Sequence, residues 1–137
     1  MAHNETTLRQ PRIAVIDDRP FRVNLALRIL AGARYRARGF TSPKEALDVI
    51  STGQFDLVLT DHRMGEHDAS RLCAALQARL GGAAPAFVLM TRSIHDVAIP
   101  DRDLFAGILL KPLSPGGLLT ALQRVMRGRR AEPGARA

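Results

Sequence analysis

Four short apolar runs punctuate the chain: Ile13-Ala14-Val15-Ile16, Leu57-Val58-Leu59, Phe87-Val88-Leu89-Met90 and Ile108-Leu109-Leu110. Each is nearly continuous rather than alternating. A strand with one wet face alternates, so an unbroken run implies apolar cover on both faces, as in a parallel sheet between helical layers. The stretch from Arg34 to Phe40 differs. Its arginines at 34, 36 and 38 alternate with Tyr35 and Ala37, which leaves one face wet and predicts an edge strand.

Helical patterns fill the gaps. Phe21, Leu25 and Ile29 fall at i, i+4 and i+8, with Ala26 and Leu30 beside them and Arg22 and Arg28 elsewhere on the helix surface. Ser42-Pro43-Lys44-Glu45 combines an N-cap, a proline at the first helical position and a capping-box glutamate. It predicts a helix through Ile50 that stops near Gly53. Leu72, Cys73, Leu76 and Leu80 form another apolar stripe, ended by Gly81-Gly82. Ser114-Pro115 starts a last helix whose buried face is Leu118, Leu119, Leu122, Val125 and Met126. Between Thr91 and Gly107, Pro100 and few spaced apolar residues predict a short turn of helix or an irregular segment. The result is an α/β fold with a five-stranded, doubly wound parallel sheet and an atypical or shortened fourth helix. Right-handed crossovers and a polar second strand at the edge favour the flavodoxin-like order 2-1-3-4-5.

Composition narrows the function. The 137 residues, 46% of them apolar, suit one domain. The expected division is a flexible leader over 1–11, a domain over 12–127 and a disordered basic tail over 128–137. No apolar stretch approaches the roughly 20 residues of a membrane span, and the polar start at Met1 to Gln10 is unlike a signal peptide. Cys73 is the single cysteine, which excludes an intrachain disulfide and a thiolate metal cluster. A cytoplasmic setting is expected, with no membrane insertion. The net charge of +7 is nearly all arginine, spread along the chain with a mild cluster at Arg127, Arg129, Arg130 and Arg136. No basic helix with interleaved aromatics is visible, so direct nucleic-acid binding is not expected. The first strand runs into Asp17-Asp18-Arg19-Pro20, not into a Gly-rich loop, which argues against a dinucleotide or Walker-A site. His62 and His67 fall in a loop, where exposure is the default, and no histidine pair suggests a metal-dependent hydrolase.

In a doubly wound sheet, ligands bind beyond the carboxyl ends of the strands. The residues expected there are Asp17 and Asp18, Thr60 and Asp61, Thr91, and Lys111 with Pro112. Singly, each has a bland reading: a carboxylate after a strand is often a helix cap, and Lys-Pro is often a turn. Together they form a set. Three close carboxylates repel one another, and a hard divalent cation such as Mg²⁺ relieves this with oxygen ligands and water. An aspartate beside Mg²⁺ can attack a phosphoryl group and form an acyl phosphate. The charge on the equatorial oxygens then needs a cation and a hydroxyl, for which Lys111 and Thr91 fit.

These residues resemble the receiver domains of two-component response regulators, over about Arg12 to Arg127. Ile16-Asp17-Asp18 is similar to the acidic pair of that family. Residues 55–64, from Phe55 through Thr60-Asp61 to Met64, are similar to the phosphoacceptor segment, with Asp68 matching the aspartate that follows. Met90-Thr91 resembles the hydroxyl site, and Leu110-Lys111-Pro112 the lysine-proline site with its cis peptide. The resemblance implies that Asp61 takes a phosphoryl group from a histidine kinase or phosphotransfer protein. It implies that Asp18, Asp61 and the backbone carbonyl of Arg63 ligate Mg²⁺ directly and Asp17 mainly through water, while Thr91 and Lys111 contact the phosphoryl oxygens. The receiver itself would catalyse both transfer and hydrolysis, so it is a phosphoacceptor signalling domain rather than a conventional enzyme.

Some positions depart from the family pattern. Ile108 stands where Tyr or Phe usually switches, Arg92 follows the threonine in place of Ala or Gly, Gly65 replaces a proline and Ala69 a glycine. The expected function is a stand-alone, chemotaxis-regulator-like receiver, without a DNA-binding output domain, that acts on a downstream protein. The start methionine and short leader favour a complete protein over a fragment of a hybrid histidine kinase. Arg92 and Ile108 motivate the alternative of a pseudo-receiver, a constitutive interaction domain.

Overall fold

The computed structural model describes residues 10–131. In chain order the elements are β1 (Arg12–Ile16), α1 (Pro20–Gly32), β2 (Arg36–Phe40), α2 (Pro43–Ile50), β3 (Leu57–Asp61), α3 (Ala69–Leu80), β4 (Ala86–Thr91), β5 (Gly107–Leu110) and α4 (Pro115–Ala131). A two-residue ribbon, Arg63–Met64 against His67–Asp68, links β3 to α3. The five strands form one sheet in the order β2-β1-β3-β4-β5, every pair parallel. This is the expected flavodoxin-like arrangement.

The unbroken apolar runs have the expected cause. Side chains alternate across the strands into two cores. Ala14, Ile16, Val58, Phe87 and Leu89 meet α2 and α3 on one face. Ile13, Val15, Leu57, Leu59, Val88 and Met90 meet α1 and α4 on the other.

The helix ends follow the sequence signals. Ser42 Oγ accepts the Glu45 amide at 3.2 Å, Asp68 caps α3 through the Ser70 amide at 2.8 Å, and Ser114 Oγ accepts the Gly117 amide at 3.0 Å. These bonds satisfy helix N–H groups that otherwise lack partners.

Three expectations need correction. The α1 stripe Phe21, Leu25, Ile29 is not the core face: Phe21 is 64% and Leu25 52% exposed, while Val23, Ala26 and Leu30 are buried. The helix is apolar around most of its circumference, so two stripes fit the period, and the i, i+3, i+7 one meets the sheet. The second strand begins at Arg36 rather than Arg34. Arg34 and Tyr35 are still closing α1, their amides bonded to Ala31 O and Leu30 O, with Arg34 in the left-handed region at φ 67°. Finally, α4 continues to Ala131, past the tail boundary expected at Arg127. A mid-helix glycine at 128 costs only about 1 kcal/mol relative to alanine, too little to stop a helix of this length. Residues 1–9 of the leader and 132–137 of the tail lie outside the described residues.

The segment between β4 and β5 is irregular, as its composition predicts. It forms two 3-10 turns, Ile94–Asp96 and Ile99–Leu104. Arg102 holds them together, its Nε on Val97 O at 3.1 Å and an Nη on Ile94 O at 3.0 Å. Val97 and Phe105 are buried and supply the apolar cover that a regular helix would.

Candidate acidic phosphoryl site

The strand ends bring the predicted residues to one rim. Asp17 and Asp18 follow β1, Asp61 ends β3, Thr91 ends β4 and Lys111 follows β5. Asp17, Asp18 and Asp61 each offer an oxygen, and these oxygens lie within 4.8 Å of one another. Asp17 and Asp61 are buried, while Asp18 is exposed. Lys111 Nζ donates to Asp61 Oδ1. The Lys111–Pro112 peptide is cis.

The environment of each carboxylate follows from its position. Asp17 is tied into the turn that opens α1, where its Oδ1 accepts the Arg19 amide at 3.0 Å. Burial pushes its pKa up, the Arg19 hydrogen bond opposes this, and the nearby Asp61 charge adds to it. Asp61 has a cation near each oxygen: Lys111 at Oδ1, and Arg22 Nη1 at 3.9 Å from Oδ2. Three carboxylate oxygens held this close repel one another, and a hard divalent cation between them relieves that repulsion.

Thr91 is buried at the end of β4, its Oγ1 donating to Ser93 O at 3.2 Å and lying 3.4 Å from His62 Nδ1. Arg63, exposed in the ribbon, and Arg92, exposed after Thr91, line the same cavity of about 480 Å³ as Asp61, Thr91 and Lys111. Arg92 therefore stands at the rim. Ile108 is half-buried against the core on the α3 face.

Two neighbours of the site were not expected. His62 is 7% exposed, not the solvent-facing residue its loop suggested. Its amide donates to Met90 O and its carbonyl accepts the Ala69 amide, both at 3.0 Å. These bonds carry the β3 extension under the rim and draw the ring inward beside Thr91. The second is Arg22, which the helical period puts on the surface and the fold puts beside Asp61. The available signal was its place one turn after Asp18, on the first turn of a helix that begins at the strand ends. His67 is exposed, as expected.

A family model described as the response regulator receiver domain matches residues 13–123. No curated protein matches the chain. Among solved structures the chain is similar to the chemotaxis protein CheY4 of Vibrio cholerae, at 21% identity and a TM-score of 0.74 over 85% of this chain and 98% of that one. It is similar to a CheY-like receiver domain from Methylobacillus flagellatus, at 22% identity and a TM-score of 0.78 over 85% and 98%. A CheY-like receiver domain protein from Methanospirillum hungatei is similar at 18% identity, with a TM-score of 0.77 over 90% and 98%. At these identities the likeness is one of fold.

Proposed function

The chain belongs to the response regulator receiver family, and on that premise we propose that Asp61 accepts a phosphoryl group from phosphohistidine on a histidine kinase or phosphotransfer protein. One observation carries this reading: the oxygens of Asp17, Asp18 and Asp61 meet within 4.8 Å while Lys111 pairs with Asp61. In the transfer, an Asp61 oxygen forms a bond to phosphorus as the P–N bond breaks, and the electron pair stays on the departing imidazole nitrogen. Lys111 stabilises charge on the phosphoryl oxygens, and the Thr91 hydroxyl turns from Ser93 O to donate to one of them. Asp17, Asp18, Asp61 and the Arg63 carbonyl would hold Mg²⁺, which when bound neutralises the equatorial charge.

The phosphorylated domain then acts on a downstream protein from a cytoplasmic setting. Among the described residues no helix is long and apolar enough to cross a membrane. The 3-10 segment and Ile108 support an output that does not use an aromatic switch or a regular helix between β4 and β5. A pseudo-receiver is the second reading, favoured by the pairing of both Asp61 oxygens with cations. Incubation with Mg²⁺ and acetyl phosphate, followed by intact mass, separates the two. The phosphoacceptor reading predicts a gain of one phosphoryl group that disappears in Asp61→Asn. No gain, together with no Mg²⁺ binding, identifies a pseudo-receiver.

A further inference from the structure

Arg22 is not part of the residue set that the strand ends supply. It projects from the first turn of α1, with its backbone amide on Arg19 O at 3.0 Å. Its guanidinium lies 5.7 Å from the Phe21 ring centroid, a contact that steadies a long cationic side chain. From there one Nη stands 3.9 Å from Asp61 Oδ2, on the oxygen that Lys111 leaves uncovered. The side chain is about one-third exposed (32%) while that of Asp61 is 7% exposed, so Arg22 can follow a charge that moves outward.

The site as a whole is more cationic than a metal cage requires. Five cationic side chains line the cavity above Asp61 together with the carboxylates of Asp18, Asp61 and Asp96, and Asp17 adds a fourth carboxylate beside it. Phosphorylation removes the Asp61 carboxylate charge and places a phosphoryl group, with more negative charge and three acceptor oxygens, directly above it. An arginine beside Asp61 Oδ2 in the free protein is then beside those oxygens. Its planar fork suits them better than it suits a single carboxylate oxygen. The same charge opposes a divalent cation at the three aspartates, because like charges repel across a few ångströms.

We propose that Arg22 is a second phosphoryl-binding cation of this site, which covers Asp61 Oδ2 in the free protein and grips the transferred phosphoryl group. This rests on the phosphoacceptor reading of Asp61. Arg22 therefore has opposite effects on the two ligands: it weakens Mg²⁺ and strengthens phosphoryl transfer. A residue with a merely structural role would shift both the same way or neither.

The test uses the native chain, Arg22→Ala and Arg22→Lys. Mg²⁺ affinity is measured by isothermal titration calorimetry. The rate of phosphorylation by acetyl phosphate at saturating Mg²⁺ is followed by intact mass. In Arg22→Ala, Mg²⁺ is expected to bind about three- to tenfold more tightly. Phosphorylation is expected to slow about 10- to 100-fold, less than a fully enclosed arginine finger contributes because Arg22 is partly solvated. Arg22→Lys keeps the charge, so it should restore native Mg²⁺ affinity and recover only part of the rate. A native chain that is phosphorylated, with Arg22→Ala equally fast or faster, overturns the role of Arg22 and leaves the phosphoacceptor reading standing. A native chain that takes no phosphoryl group overturns both.

Discussion

The centre of the sheet and its β5 edge are built differently. In β1 and β3 nearly every side chain is buried, and regular helices cover both faces. In β5 the side chains are only half-buried, and Leu110 is 56% exposed. Between β4 and β5, two 3-10 turns tied by Arg102 stand where the other crossovers have helices. Yet both regions deliver site residues to the same rim: Asp17, Asp18 and Asp61 from the centre, Lys111 from the edge. The contrast separates two demands on a receiver. Positioning site residues needs strand ends in register, which β4–β5 pairing from Val88–Gly107 to Thr91–Leu110 provides. The second demand is a packed surface between β4 and β5, which two 3-10 turns tied by Arg102 supply here in place of a helix.

Mutations should expose the contrast as a gradient of cost. Leu59→Ala empties a fully buried position under α1 and α4 and should destabilise by about 2–5 kcal/mol, measured by urea denaturation. Gly39→Ala is next. A Cβ there would stand 2.3 Å from Val23 Cγ1, so the Val23 side chain must leave its place between α1 and β2 at a cost of about 1–3 kcal/mol. Arg102→Ala should cost about 1–2 kcal/mol, because Val97 O and Ile94 O lose their donor. Hydrogen exchange should rise across 94–104 and stay unchanged in β1 and β3. Ile108→Ala, at the half-buried edge, should cost about 1 kcal/mol. If Ile108→Ala costs as much as Leu59→Ala, the centre and the edge are not different in kind.

Asp17→Asn should have the smallest effect and the opposite sign. Burial raises the Asp17 pKa above the usual carboxylate value of 3.8, so the folded protein binds this proton more tightly than the unfolded chain. Metal-free stability contributed by this group is therefore greatest at low pH and falls as pH rises from 3.8 through the raised value. Asp17→Asn removes that decline. Without Mg²⁺ at neutral pH it should melt at or slightly above the native temperature, and with Mg²⁺ it should lose the stabilisation the ion gives.

Much of this was legible in the sequence for physical reasons. Unbroken runs such as Ile13–Ile16 encode double-sided cover, and Ser42-Pro43 and Ser114-Pro115 encode helix starts. Asp17, Asp18, Asp61, Thr91 and Lys111 meet because parallel strands end on one side. What was not legible depended on choices that period alone leaves open. Two apolar stripes on α1 fit a helix equally well, and only packing selects Val23, Ala26 and Leu30. His62 is buried because backbone bonds to Met90 and Ala69 turn the loop inward. Arg22 looked like surface charge because its partner, Asp61, is 39 positions away along the chain and is brought to it by the fold.

The measurement that tests the central claim most directly is a map of the phosphoryl group. After phosphorylation by acetyl phosphate with Mg²⁺, borohydride reduces an aspartyl phosphate to homoserine, which peptide mass spectrometry places in the sequence. The account predicts homoserine at position 61 alone. Homoserine at 17 or 18, or none at any aspartate, would contradict it.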